Sequence, residues 1–197
     1  MEFVPVFFCG GLTCIDYCNT YDHAHTPPAY DFFSDFSAVL EWGKAAGILP
    51  AGTQATGPAD LSILEKAKQV RPLIYRLLEP FTRLQQPAEA DLAEFNDLFR
   101  EVSSWTEIAS GQEGFTLSCC SDDPLKKILC EVVRSTADLL VANQSERVKQ
   151  CEECSWLFYD STRNLSRRWC DMKTCGNKAK ARRHYERVRQ NRLGAAG

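Results

Sequence analysis

Four cysteines near the end of the 197-residue chain have the spacing of a metal site: Cys151-x2-Cys154, fifteen intervening residues, then Cys170-x4-Cys175. Two short cysteine pairs separated by 15–20 residues are how a chain brings four sulfurs to one tetrahedral ion. Thiolate softness selects zinc. A catalytic zinc keeps one position open for water, whereas four thiolates close the shell. The expected cofactor is therefore one structural zinc, and no catalytic residues are assigned. No nucleophile–base pair or phosphate loop stands out elsewhere, so the reading is of a protein that is not an enzyme. His184 is a rival ligand, but it lies more than two turns past Cys175 on the following helix. His23 and His25, beside Asp22, fall in a proline-containing loop and read as solvated.

Arginine and lysine crowd the same stretch. From Cys151 to Gly197 there are 11 Lys+Arg against 5 Asp+Glu; Met1 to Gln150 holds 12 against 21. The formal net charge of −3 thus conceals a basic module attached to an acidic body. On a helix beginning near Asn177, Lys178, Arg182, Tyr185, Arg189 and Arg192 share one face. Ala181, His184 and Val188 form a narrow apolar strip, and Lys180, Arg183 and Arg187 lie opposite. A rigidly held basic helix is a phosphate-binding surface. The nucleic-acid candidates are Arg163, Arg167, Arg168, Lys173, Asn177, Lys178, Arg182, Arg183 and Arg189. DNA is the expected partner; RNA or an acidic protein is the alternative. The acidic body could also cover the finger's arginines at rest.

The elements that must position these groups are mostly helical. "FVPVFF" reads as a strand ended by Gly10-Gly11, and "LTCIDYCNT" as a short helix or turn. Ser34 is placed to cap a helix ending at Gly47, and Pro58 to open the next one. Residues 59–86 carry a helical apolar pattern interrupted by Pro72 and Pro80, which predicts a kink or break near Val70-Arg71 and another near Glu79. A further helix turns Leu92, Phe95, Leu98, Phe99 and Val102 inward. "SWTEIASGQEGFTLSCC" reads as a hairpin. Ser121 or Asp122 then caps a helix with a stripe from Leu125 to Leu140. In the cysteine segment, "WLFYD" and "SRRWCD" around "STRN" read as a second hairpin. The fold class is α+β: a mainly α-helical N-terminal domain with a few short strands (1–148), then a treble-clef-like zinc finger of knuckle, β-hairpin and helix (149–197).

No apolar run reaches the length that spans a bilayer, and "MEFVPVFFCGG" lacks the basic start of a secretory signal. The expectation is a cytoplasmic protein with no membrane partner. The six remaining cysteines read as small buried or partly exposed residues.

The segment Cys151–Arg189 closely resembles the CGNR zinc finger, whose naming motif stands here as "CGNK", Cys175 to Lys178; "STRNLSRRWCDMKTC" and "KARRHY" extend the likeness. "GGLTCIDYCNT" resembles the opening of the ABATE domain, its usual companion. The resemblance implies a bacterial, stress-related transcription regulator with zinc on Cys151, Cys154, Cys170 and Cys175. Lys178 replaces the motif arginine, keeping the charge but losing the two-pronged geometry. Asp16, Asn19 and Thr20 match the front motif, with a structural or ligand-binding role. A small-molecule effector and a homo-oligomer are further expected partners.

Overall fold

The computed structural model describes residues 8–54, 61–111 and 114–194. The expected strand at "FVPVFF" and the expected Pro58 opening lie outside the described residues. Six helices, α1 (Thr13–Cys18), α2 (Phe36–Ala45), α3 (Leu61–Leu78), α4 (Glu89–Ser103), α5 (Pro124–Val141) and α6 (Asn177–Gly194), accompany two antiparallel strand pairs among the described residues. These are β1 (Thr106–Gly111) with β2 (Gly114–Cys119), and β3 (Val148–Gln150) with β4 (Leu157–Tyr159).

The short α1 is the hub. Cys14, Ile15, Tyr17 and Cys18 are fully buried, and α3 and α5 pack around them. Tyr17 donates its hydroxyl to Ala67 O at 2.6 Å and meets Trp42 edge-on, with ring centroids 5.0 Å apart. The periodic stripe of α5 is buried as expected from Leu125 through Leu139.

Several local expectations shift by a residue or fail for identifiable reasons. Asp35, not Ser34, caps α2, its carboxylate accepting from Ala38 N. Asp123, not Ser121 or Asp122, caps α5. Gly47, at φ +73°, ends α2 in a Schellman turn: Ile48 N donates to Gly43 O, and Gly47 N to Lys44 O. The helix α3 runs unbroken through Pro72. Proline there leaves the Lys68 carbonyl without its usual donor, and Arg71 Nε donates to that oxygen at 3.3 Å. Arg71 is only 2% exposed, grips Asp31 with two hydrogen bonds of 2.6 and 3.1 Å, and lies over Phe33. The expected break near Glu79 is present: α3 stops at Leu78, and Glu79–Arg83 forms a 3-10 turn carrying Pro80. On α4, Phe95 and Val102 are buried, but Leu92 and Phe99 face outward. The hairpin β1–β2 leaves Ile108 and Phe115 exposed.

The larger correction concerns the finger. "SRRWCD" forms no strand; β4 pairs instead with β3, with Val148 opposite Tyr159 and Gln150 opposite Leu157. The cysteine knuckle is therefore the turn of the hairpin. Asp160 explains why the chain does not double back. It is fully buried and accepts from Thr162 N (3.0 Å), Arg167 N (2.9 Å) and Lys149 Nζ (2.8 Å), winding residues 160–167 into a compact loop. The strand β3 begins at Val148, one residue ahead of the expected boundary.

The finger is docked on the helical half through the front motif. Asn19 Nδ2 donates to Leu157 O at 2.9 Å, and its Oδ1 accepts from Leu157 N at 3.1 Å. One side chain thus serves as the missing neighbour strand of β4. Tyr159 N donates to Gly10 O at 2.7 Å. Val148 and Leu157 belong to the core of the helical half. Asn19→Ala would strand both Leu157 groups in a buried site, at a cost of about 2 kcal/mol. Hydrogen exchange should show faster exchange at Leu157 and Tyr159 while the α5 amides keep their protection.

Candidate metal centre

The four sulfurs of Cys151, Cys154, Cys170 and Cys175 all lie within 4.8 Å of one another. Cys154 Sγ is 3.5 Å from Cys170 Sγ, which is 3.7 Å from Cys175 Sγ. A tetrahedral zinc with ordinary zinc–sulfur bonds sets sulfur–sulfur separations of about 3.8 Å, so the cluster fits one ion. Cys151, Cys170 and Cys175 are buried, and Phe158, Trp156 and Trp169 pack around them. His184 is exposed and sits 3.3 Å from Arg187 on α6. His25 is bonded to Asp22, and His23 stacks on Tyr75. Neither loop histidine joins a metal-ligating cluster among the described residues.

Local backbone geometry explains both spacings. In the first pair, Cys151 N donates to Trp156 O and Ser155 N to Cys151 O, with Ser155 at φ +62°. That tight reversal points both thiols the same way. In the second, Asp171 caps the turn, accepting from Thr174 N and Thr174 Oγ1. Gly176 N reaches back five residues to Asp171 O. The wide turn Met172–Gly176 absorbs the two extra residues of the x4 spacing and delivers Cys175 to the start of α6.

The predicted nucleic-acid residues separate into groups. Arg167 turns inward: Nε donates to Trp169 O, Nη1 to Tyr159 O, and Nη2 to Cys9 O and Cys170 O, with its guanidinium over Phe158. It ties the zinc ligand loop to the helical half. Arg168 and Arg182 are exposed but paired with the knuckle acids, Arg168 with Glu152 and Arg182 with Glu153. Asn177 Nδ2 is committed to Lys173 O. Arg163, Lys173, Lys178 and Arg189 are exposed without a carboxylate partner among the described residues. Arg183 lies over Trp169. The side chain of Arg192 lies outside the described ones.

Along α6, Ala179 is the buried anchor, while Ala181 and His184 of the narrow apolar strip are exposed with every other residue from Lys180 to Arg187. Lys180, Arg183, His184 and Arg187 line a shallow groove along one side. Lys180 and Arg187 lie on the face opposite Lys178 and Arg182, outside the residues that the sequence pattern assigns to nucleic acid. Their spacing of three and four residues around Arg183 was the available signal. The finger's paired arginines use the finger's own acids. No carboxylate of the helical half pairs with them among the described residues, so the body does not cover the finger by ion pairs in this structure.

Asp16, Asn19 and Thr20 do not approach the metal centre; they organise the seat on which it rests. Asp16 Oδ1 accepts from Gly10 N at 2.7 Å, and Gly10 has no room for a Cβ, which would lie 2.8 Å from that oxygen. Thr20 Oγ1 donates to Tyr17 O, and Thr20 O accepts from Arg71. Asp160 is the residue whose importance its sequence context did not advertise. Burial alone would raise its pKa, but Lys149, Thr162 and Arg167 outweigh burial and hold it well below the carboxylate range.

A mainly helical body carrying a closed four-cysteine finger defines the class: a zinc-finger protein with an α-rich companion domain. Comparison with family sequences agrees. The CGNR zinc finger model matches residues 147–188, and the ABATE model, described as "Putative stress-induced transcription regulator", matches residues 11–143. The chain belongs to the ABATE family and carries a CGNR zinc finger. A search of curated proteins found no match. No helix among the described residues is long and apolar enough to cross a membrane.

Two outcomes are expected. Cys170→Ser should abolish stoichiometric zinc, read by elemental analysis of the purified protein; intact metal content would contradict the ligand set. Asp160→Asn should cost about 3 kcal/mol at neutral pH. Because the folded pKa is depressed, the Asp160 contribution is complete above the unfolded value and lost as pH falls toward the folded one. The variant should therefore show a shallower acid limb in its melting temperature against pH.

Proposed function

We propose that the chain is a DNA-binding transcription regulator in which zinc holds α6 as a basic rod against the phosphate backbone. The helical half regulates it through a ligand or through assembly. The observation that carries this reading is α6 itself. It bears seven Lys and Arg against the single acid Glu186, and residues 180–187 are all exposed. A rod charged around its circumference suits backbone contact better than a single recognition stripe, because phosphates flank a groove on both sides. Lys178, Arg183 and Arg189, with Lys180 and Arg187 added, are the proposed contacts on the helix, joined by Arg163 and Lys173. Arg168 and Arg182 join when phosphate displaces Glu152 and Glu153. Exposed ion pairs of this kind contribute about 1 kcal/mol or less, so exchange is inexpensive. Arg167 acts as a positioning residue, and Lys178 contributes charge without bidentate geometry.

The Glu152–Arg168 and Glu153–Arg182 pairs also favour a second reading, in which an acidic protein segment takes the place of phosphate. Salt dependence of DNA binding by the full-length, zinc-loaded protein separates the two. If the seven contacts made without displacing an acid form, log affinity should fall against log salt with a slope of roughly −6, and replacing Lys180, Arg183 and Arg187 by alanine should reduce that slope by about 3. A flat response would contradict phosphate contact, and equal affinity for single-stranded RNA would move the assignment to RNA.

A further inference from the structure

A cavity of about 610 Å3 opens where α1, α2 and α5 meet the finger strand β4. Its size falls in the range of small-molecule sites. Phe8, Leu12, Trp42 and Leu139 supply apolar walls, and Tyr159 closes one side. Asp16 also lines it, yet the residue is only 7% exposed. One carboxylate oxygen is held by Gly10 N. The other has no partner among the described residues and is open to the cavity.

The charge of the lining selects the ligand class. Asp16 and Asp138 both contribute to it, while Arg134 is the one strong cation of the lining among the described residues. Arg134 is paired through its two terminal nitrogens with Glu131 and Asp138, while its Nε and Trp42 Nε1 are buried without a partner among the described residues and offer donors to an acceptor elsewhere on the ligand. An anion entering the cavity would meet two carboxylates and a neutralised guanidinium. An ammonium group would meet an open carboxylate oxygen, and the hydrogen bond would be charge-assisted. Phe8 and Leu12, both partly exposed, suit an aromatic or alkyl body, and the Phe8 ring attracts a nearby cation.

We propose that this cavity is the binding site for a small organic ammonium compound with an apolar or aromatic body, its N–H groups paired with Asp16. The proposal rests on the reading of the helical half as the regulatory half, and it names the ligand class. The site also explains how occupancy reaches the finger. Gly10 N is held by Asp16, while Gly10 O receives Tyr159 N from β4, so a ligand drawing on Asp16 acts on the same residue that seats the finger strand.

Burial raises the Asp16 pKa to about 7, against the opposing pull of Gly10 N–H and Arg167. Pairing with an ammonium requires the ionised form, so affinity should rise as pH rises through that value. Calorimetry on the full-length, zinc-loaded protein without DNA supplies the test. The probes are tryptamine and phenethylamine, each against its carboxylate counterpart, indole-3-acetate and phenylacetate, at about pH 6 and about pH 8. The amines should bind, more tightly at the higher pH, and the carboxylates about tenfold more weakly or not at all. Asp16→Asn should weaken amine binding about tenfold and remove its pH dependence. Ala46→Trp, which fills the cavity from its rim without touching Asp16, should block binding while zinc content is unchanged. Failure of both amines to bind at millimolar concentration, carboxylates that bind as tightly, or unchanged affinity in either variant would overturn the proposal. Because binding is read without DNA, that failure leaves phosphate contact by α6 standing, and a flat salt response leaves this site standing.

Discussion

Four thiols crowded within 4.8 Å form the constraint on which the finger depends. Ionised together they repel; around one zinc they become the strongest cross-link in the segment. A finger of this size has little core of its own, and here its interior consists of the cysteines, Phe158 and two flanking tryptophans. The metal therefore fixes the knuckle, the loop around Asp160 and the start of α6 relative to one another. Everything beyond Ala179 projects from that fixed point.

A second layer of constraint transmits this geometry to the helical half. Asn19 completes β4 as a strand would, Arg167 gathers carbonyls from Cys9, Tyr159, Trp169 and Cys170, and Gly10 passes a hydrogen bond to each side. The finger is consequently not a module on a flexible tether. Asn19, Arg167 and Gly10 thus tie the α1 seat directly to the strand and loop that hold the finger.

Much of this was legible in the sequence because periodic and paired patterns report directly on geometry. The cysteine spacing gave the ligand set, the amphipathic stripe of α5 gave the core face, and the charge split marked the basic finger. What was not legible depended on single side chains acting at long range. Nothing in "VRP" shows that Arg71 supplies a donor to the carbonyl exposed by Pro72. Nothing in "YDST" shows that Asp160 is buried and converts an expected hairpin into a loop. Arg167 looks like its neighbours Arg163 and Arg168, and only the fold separates a carbonyl-binding arginine from exposed ones. The cavity beside Asp16 is assembled from three helices and a strand, so no local pattern announces it.

The central claim is that zinc acts by orienting α6 rather than by reacting. The most direct test is DNA affinity of the same full-length sample as purified, after zinc is stripped by a chelator, and after zinc is restored. Affinity that collapses on stripping and returns with one equivalent of zinc is the predicted result. Affinity unchanged by removal of the metal would contradict the account.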